Sequence, residues 1–121
     1  KIVSFEEILA CSDYISLHIP LIDETRGMID ASAISRMKNG VYLINTCRGQ
    51  VVIEEDIADA LKSGKIAGYA TDVYSKEPPE GSPLFEAPNV LMTPHIGAST
   101  EENLLRLADC IVGRLRKYVG R

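Results

Sequence analysis

Side chains that can bind an anion or move a proton recur along this chain just after short apolar runs. Arg48, Asp72 and His95 each follow such a run, and Glu77 lies five residues beyond Asp72. A guanidinium can hold a carboxylate through two parallel hydrogen bonds, and an imidazole titrates near neutral pH. A carboxylate within hydrogen-bond reach of the imidazole would fix its tautomer and stabilise its protonated form. Such a pair can act as the acid when a carbonyl is reduced and as the base in the reverse oxidation.

Each of these four residues also has a purely structural interpretation. Arg48 alone would be an ordinary surface arginine, His95 a hydrogen-bonded core histidine and Asp72 the cap of a turn. Glu77 lies in a polar loop with other acids, so its spacing alone favours a solvated side chain. Gly49 favours a functional role for the neighbouring arginine, because glycine permits a sharp turn or the close approach of a ligand.

Cys47 and His18 are the other reactive side chains near the ends of the apolar runs. Arg48 could lower the pKa of the Cys47 thiol and make it a nucleophile. No base neighbours it in sequence, however, and we predict a packing role for Cys47 and for His18. The spacing of the histidines and cysteines matches no metal site, so no metal is predicted.

The apolar runs predict four β-strands, at residues 14–17, 41–44, 66–70 and 90–92. They are short and almost continuously apolar, which is typical of strands buried on both faces of a parallel sheet. Helical patterns alternate with them, as in strand–crossover–strand units. We therefore expect an α/β fold, a partial doubly wound (Rossmann-like) parallel sheet of about four strands with flanking helices.

The first three predicted helices have recognisable ends. Ser4 and Glu7 form a capping box for a helix whose buried side chains would be Phe5, Ile8 and Leu9. Further helices are predicted at residues 31–37 and about 54–63. The second of these would bury Ile57, Ala60 and Leu61 and end at Gly64.

The last predicted helix begins at Ser99, with Glu102 completing a second capping box. Its apolar stripe comprises Leu104, Ala108, Ile111, Leu115 and Tyr118. The carboxyl ends of parallel strands lie at one edge of a sheet, and ligands of open α/β sheets bind in the crevice there. We therefore expect Arg48, Asp72 and His95 to converge although they are far apart in sequence.

The composition is that of a soluble globular domain. The chain has 121 residues, a net charge of −4, 45% hydrophobic and 25% charged residues, which suits one compact domain. The interspersed charges favour neither a nucleic acid nor a membrane surface as partner. No apolar run reaches the ~20 residues of a membrane span, and no secretory signal pattern occurs. Three scattered cysteines are typical of reduced thiols, so we expect a cytoplasmic protein.

Longer stretches of the chain closely resemble the D-isomer-specific 2-hydroxyacid dehydrogenases. They are SLHIPLIDETRGMI, MKNGVYLINTCRGQVV, ALKSGKIAGYATDVYSKEPP, SPLFEAPNVLMTPHIGAST and the helix that follows. The resemblance implies hydride transfer between NAD, or alternatively NADP, and a small 2-hydroxy or 2-keto acid. It also allows a homodimer.

The resemblance also implies roles for individual residues. By position, Arg48 is similar to the arginine that grips the substrate carboxylate, His95 to the proton donor and acceptor, and Glu77 to its carboxylate partner. Asp72 is similar to the residue that holds the nicotinamide end of the cofactor. The other cofactor-binding positions implied in this way are Ile19, Pro20, Thr46, Cys47, Gly97 and Ala98.

Several features depart from the family pattern. Residue 53 is isoleucine where the family usually has an acid near the helix start, which weakens a cap. Cys47 replaces a common alanine and would make the site sensitive to oxidation. The glycine-rich turn that seats a pyrophosphate and the substrate domain do not occur in the sequence. We therefore expect residues 1–121 to be the C-terminal part of a dinucleotide-binding domain, inactive in isolation.

Two other classes of protein share parts of this pattern. A dinucleotide-sensing co-repressor derived from the same family would keep most of these motifs, and turnover of keto acids by the full-length protein would exclude it. A phosphoacceptor receiver domain has a similar length and fold class. It needs an acidic pair after its first strand, where this chain has His18-Ile19-Pro20.

Overall fold

A computed structural model of the chain describes residues 1–120. Its centre is a parallel sheet of four strands in the order β1-β2-β3-β4. The strands are β1 (Tyr14–Leu17), β2 (Val41–Asn45), β3 (Ile66–Thr71) and β4 (Val90–Met92). The prediction of an α/β fold with four parallel strands is confirmed, and β2 and β3 each extend one residue beyond their predicted ends.

Helices connect and flank these strands as the periodicity predicts. They are α1 (Phe5–Cys11), α2 (Ala31–Arg36), α3 (Glu54–Lys62) and α4 (Glu101–Tyr118). Two short 3₁₀ helices, Gly49–Val51 and Pro83–Glu86, lie in the connections after β2 and β3. No helix within the described residues is long and apolar enough to cross a membrane.

The predicted start of the first helix is confirmed, and that of the last is wrong by one residue. The Ser4 hydroxyl accepts a hydrogen bond from the backbone N–H of Glu7 at 3.1 Å. At α4 the capping residue is Thr100, whose hydroxyl accepts from the N–H of Asn103 at 3.2 Å. Ser99 instead closes the preceding turn, because its N–H donates to the Ile96 carbonyl at 2.9 Å.

The first three helices cover one face of the sheet. Right-handed crossovers between strands that follow one another in sheet order all fall on the same side. Accordingly α1 packs against α2, α2 against α3, and α3 against both β3 and the second 3₁₀ helix. The core between these helices and the sheet includes the fully buried side chains Leu9, Leu43, Ile57, Ile66 and Leu84.

The other face of the sheet is open, so the prediction of strands buried on both faces is wrong for this chain. Burial alternates along β1 and β2. On the open face, the Tyr14 and Tyr42 rings stack with their centroids 5.2 Å apart, and Leu91 is exposed. The physical reason is the strand order, since it sends every crossover to the opposite face.

Two helices bury less apolar surface than their patterns predict. In α1 only Leu9 is buried, whereas Phe5 is half-buried and Ile8 is exposed. In α4 no residue is buried, so the stripe predicted at positions 104, 108, 111, 115 and 118 lies in solvent. The helix α3 buries Ile57, Ala60 and Leu61 as predicted.

Candidate active site

The carboxyl ends of the four strands lie side by side. Leu17 pairs with Asn45, Asn45 with Thr71, and Thr71 with Met92. A cavity of about 500 Å³ opens at this edge, and its lining includes Thr46, Arg48, Asp72, His95, Gly97 and Ala98. The predicted convergence of Arg48, Asp72 and His95 is therefore found in the structure.

A second cavity of about 500 Å³ adjoins the first. It is lined by Ile19, Pro20 and Cys47 together with His18, and it shares Thr46 and Arg48 with the first cavity. Between them the two cavities contain every predicted site residue except Glu77, which approaches His95 from the adjacent loop.

Two members of the predicted catalytic set, Glu77 and His95, are in direct polar contact. The Nδ1 atom of His95 lies 2.7 Å from Oε2 of Glu77, and the two side chains are 48% and 40% exposed. The other oxygen of Glu77 accepts from the N–H of Tyr74 at 3.2 Å. The hydrogen bond with His95 lowers the pKa of Glu77 below its usual value, against a smaller opposing effect of burial. Neither a core histidine nor a free solvated glutamate describes this pair.

The backbone at His95 adopts a left-handed conformation with φ of 54°, which is uncommon for a residue other than glycine. Asp72 holds this turn. Its Oδ1 accepts from the Thr93 hydroxyl at 2.5 Å and from the Ile96 N–H at 2.9 Å, and its Oδ2 accepts from the Gly97 N–H at 2.7 Å. A conformation of this kind costs about 1–3 kcal/mol and persists only where the surroundings impose it.

The carboxylate of Asp72 is buried but remains ionised. Burial alone would raise the pKa of Asp72, yet the hydrogen bonds from Thr93, Ile96 and Gly97 together outweigh it and lower the pKa. The structural interpretation of Asp72 as a turn cap is thus correct as far as it goes, and the same residue also lines the first cavity.

Arg48 is exposed at the junction of the two cavities. Its Nη1 donates to the carbonyl of Cys47 at 2.6 Å, and it takes part in none of the ion pairs formed among the described residues. The guanidinium is therefore available to an anion in the cavity.

Asn45, which the sequence interpretation passed over, shapes the loop that presents Arg48. It is fully buried, and its Nδ2 donates to the Arg48 carbonyl at 3.0 Å. Its Oδ1 accepts from both the backbone N–H and the thiol of Cys47, each at 3.1 Å. The signal in the sequence was a lone amide directly after an apolar run.

Gly49 brings the Arg48 loop into contact with the loop that carries Glu77. A Cβ atom at Gly49 would lie 1.8 Å from the carbonyl carbon of Tyr74 and 2.4 Å from the nitrogen of Ser75. A close approach does occur at this glycine, but the partner in the structure is the protein's own backbone rather than a ligand.

His18 is exposed rather than packed, so its predicted packing role is wrong. Its Nε2 lies 2.8 Å from the Ser16 hydroxyl, and the ring lines the second cavity. Cys47 is half-buried, and all three cysteines are free thiols. Within residues 1–120, no three His, Cys, Asp or Glu side chains are grouped so that they could hold a metal ion.

The chain is similar in sequence and fold to known proteins. The NAD-binding domain of the D-isomer-specific 2-hydroxyacid dehydrogenases matches residues 1–97. The chain belongs to this family. A hydroxypyruvate reductase of Blautia hydrogenotrophica is 42% identical over 98% of the chain, and a D-3-phosphoglycerate dehydrogenase of Archaeoglobus fulgidus is 45% identical over 92%. The crystal structure of D-lactate dehydrogenase from Aquifex aeolicus, complexed with NAD and lactic acid, matches 98% of the chain with a TM-score of 0.88 and 37% identity.

The chain spans only part of each of these relatives. It covers 37% of the length of the reductase, 21% of the phosphoglycerate dehydrogenase and 40% of the lactate dehydrogenase chain. The resemblance of the sequence to the family is confirmed, whereas the activity of the whole protein is a matter of proposal.

Proposed function

We propose that this chain is the later part of the NAD-binding domain of a dehydrogenase, and that the whole protein transfers a hydride between NAD and a 2-hydroxy or 2-keto acid. The observation that carries the proposal is the Glu77–His95 pair, 2.7 Å between Oε2 and Nδ1, at the cavity that Arg48 also lines. A guanidinium, an imidazole and a carboxylate are the groups that such a reaction needs from the protein.

The roles of the three side chains follow from their positions. Arg48 holds the substrate carboxylate with paired hydrogen bonds and so orients the neighbouring carbonyl. Glu77 engages Nδ1 of His95, which leaves Nε2 for the substrate oxygen. During reduction the keto carbon accepts the hydride, the carbonyl π-bond becomes a lone pair on oxygen, and His95 gives that oxygen a proton. In the oxidation direction His95 takes the hydroxyl proton instead.

The two adjoining cavities suit an elongated dinucleotide. They run along the ends of all four strands, are joined at Thr46 and Arg48, and reach the glycine at position 97. The residues that would hold the cofactor are Ile19, Pro20, Thr46, Cys47, Asp72, Gly97 and Ala98. Bound NAD supplies or accepts the hydride. The protein's contribution is to orient the reactants and to stabilise charge, and NADP as cofactor is tested in the same assays.

D-3-phosphoglycerate is the substrate we propose first. The relative from Archaeoglobus fulgidus that bears this activity in its name is 45% identical to the chain. Hydroxypyruvate, glyoxylate and D-lactate form the comparison set, because relatives and structural neighbours are named for reactions on these acids. The ratio of kcat/KM values across the four acids decides between them.

The decisive experiment compares His95→Ala with the parent in the complete protein. General acid catalysis is worth about 10²- to 10⁴-fold, so kcat should fall by that factor while the Kd of NADH changes little. The kcat of Glu77→Gln should fall by less. Glu80 is an exposed acid of the same loop, and the kcat of Glu80→Gln should be unchanged. Equal turnover in the parent and His95→Ala would remove His95 from the mechanism. Tight NADH binding with no turnover of any acid would favour the co-repressor instead.

We also propose that the protein is cytoplasmic and forms a homodimer. Three unpaired cysteines support the location, and the family resemblance supports the dimer. Sedimentation equilibrium of the complete protein tests the assembly, and a mass equal to one chain at micromolar concentration would contradict it.

A further inference from the structure

Glu54 is a buried carboxylate that the proposed reaction does not use. It is the first residue of α3 and only 5% exposed. A buried carboxylate must have hydrogen-bond donors. Its Oε1 accepts from the Ser75 N–H at 2.7 Å, and its Oε2 accepts from the Ser82 hydroxyl at 2.6 Å. The preceding residue, Ile53, makes no side-chain cap, and both oxygens of Glu54 bind a different segment rather than its own helix.

The two donors enclose the segment that carries Glu77. Ser75 lies two residues before Glu77 and Ser82 five residues after it. Glu54 therefore fixes both ends of this segment from a helix that packs in the core. Ser82 also accepts from the N–H of Leu84 at 3.3 Å, which ties the far end of the segment to the start of the second 3₁₀ helix.

The segment that follows Arg48 holds Ser75 from the other side. Gln50 donates from Nε2 to the Ser75 carbonyl at 2.9 Å, and Gly49 packs directly on the backbone of Tyr74 and Ser75. The Ser75 carbonyl is thus bound from the connection between β2 and α3, and the Ser75 N–H is bound by Glu54 at the start of α3. The residue before Ser75 contacts Glu77 directly, because the Tyr74 N–H donates to Glu77 Oε1 at 3.2 Å.

We propose that Glu54 is a positioning residue, which clamps the segment from Ser75 to Ser82 so that Glu77 stays on Nδ1 of His95 and in register with the Arg48 loop. This inference rests on the proposed function of His95 and Glu77. Ionised carboxylates accept hydrogen bonds only, which matches one N–H and one O–H donor. The start of a helix also favours negative charge.

The test compares three variants of the complete protein. Glu54→Ala removes both hydrogen bonds, and misplacement of a catalytic group by about 1 Å can cost on the order of 10²-fold. We expect kcat to fall about 10- to 100-fold with KM changed less than about threefold. Glu54→Gln can still accept from Ser75 and can donate to the Ser82 hydroxyl, so it should recover most of the loss. Glu55→Ala, which alters the adjacent exposed acid, should match the parent.

A double-mutant cycle with Glu77→Gln separates positioning from a general loss of structure. If Glu54 acts through Glu77, then Glu54→Ala should lower kcat much less in the Glu77→Gln background than in the parent. The same loss in both backgrounds would overturn the proposal. If Glu54→Ala does not fold, Ser82→Ala removes one of the two bonds and enters the same cycle.

A second readout is independent of turnover. The carboxyl resonance of Glu77, followed by ¹³C NMR, should titrate nearer its ordinary pKa in Glu54→Ala and be unchanged in Glu55→Ala. An unchanged titration of Glu77 in folded Glu54→Ala protein would overturn the clamp. A shifted titration in a protein that turns over no acid would leave the clamp intact and refute the proposed function alone.

Discussion

Gly49→Ala tests whether the Arg48 loop and the Glu77 loop must touch. The added Cβ would lie 1.8 Å from the Tyr74 carbonyl carbon and 2.0 Å from its oxygen. Ordinary contacts between carbon atoms are about 3.5–4.0 Å, so the two segments must separate by roughly 1.5–2 Å. Both blocking groups belong to the backbone, and no side-chain rotation relieves the overlap. Gly49 does not have a positive φ, so the clash alone decides the outcome.

The size of the effect follows from that separation. Overpacking of this kind costs about 1–3 kcal/mol, and we expect the upper end because a main chain must move. A shift of 1 Å or more between Arg48 and His95 should lower kcat/KM on the order of 10²-fold. The loss should appear in both stability and activity, since one displacement causes both.

Urea unfolding of the complete protein and steady-state kinetics measure the two quantities. Gly113→Ala is the matched control, because nothing lies within 4 Å of a Cβ added there in α4. Alanine favours a helix by about 1 kcal/mol over glycine, so this control should be as stable as the parent or more so. A Gly49→Ala protein within about 0.5 kcal/mol and twofold of the parent would refute the packing argument.

Three further perturbations have definite expected outcomes. Asn45→Ala leaves the Arg48 carbonyl without its donor and should cost about 1–3 kcal/mol in urea unfolding; a cost under about 0.5 kcal/mol would contradict the role of Asn45. Because the pKa of Glu77 is lowered on folding, its stabilising effect is complete above the ordinary value of 4.5 and is lost as pH falls through the lowered value. The difference in free energy of unfolding between the parent and Glu77→Gln should therefore shrink from pH 5 downward. A difference that stays constant with pH would refute the stabilising effect of ionised Glu77. Burial raises the pKa of Tyr69 to about 12, so the stabilising effect of the neutral phenol is lost between about pH 10 and 12. Tyr69→Phe should abolish this loss of stability when unfolding is measured across that pH range.

The strands could be predicted from the sequence because their signal is local. An apolar run that ends in polar residues defines β1 and β4 at the bounds that the structure has. The convergence of Arg48, Asp72 and His95 followed from one further rule, that parallel strands end at the same edge.

The errors have a common physical origin in relations between distant segments. Whether a strand is covered on both faces depends on strand order, which no single apolar run contains. The burial expected for Tyr14 and Tyr42 is wrong for this reason. The start of α4 depends on the turn that follows His95, where Ser99 is already engaged with Ile96. Glu54 finds its partners 21 and 28 residues away, and nothing beside it in the sequence indicates either one.

The polar residues at the carboxyl edge of the sheet divide into two sets by burial. Asn45, Asp72 and Glu54 are buried, and each accepts backbone N–H groups that bend a neighbouring loop. Arg48 and His95 are exposed to the cavity. A buried polar group left without its partner costs more than an exposed one, so replacements in the first set should disturb both folding and catalysis. Replacement of Arg48 should disturb catalysis alone, whereas replacement of His95 should also remove the stabilising effect of its hydrogen bond with Glu77.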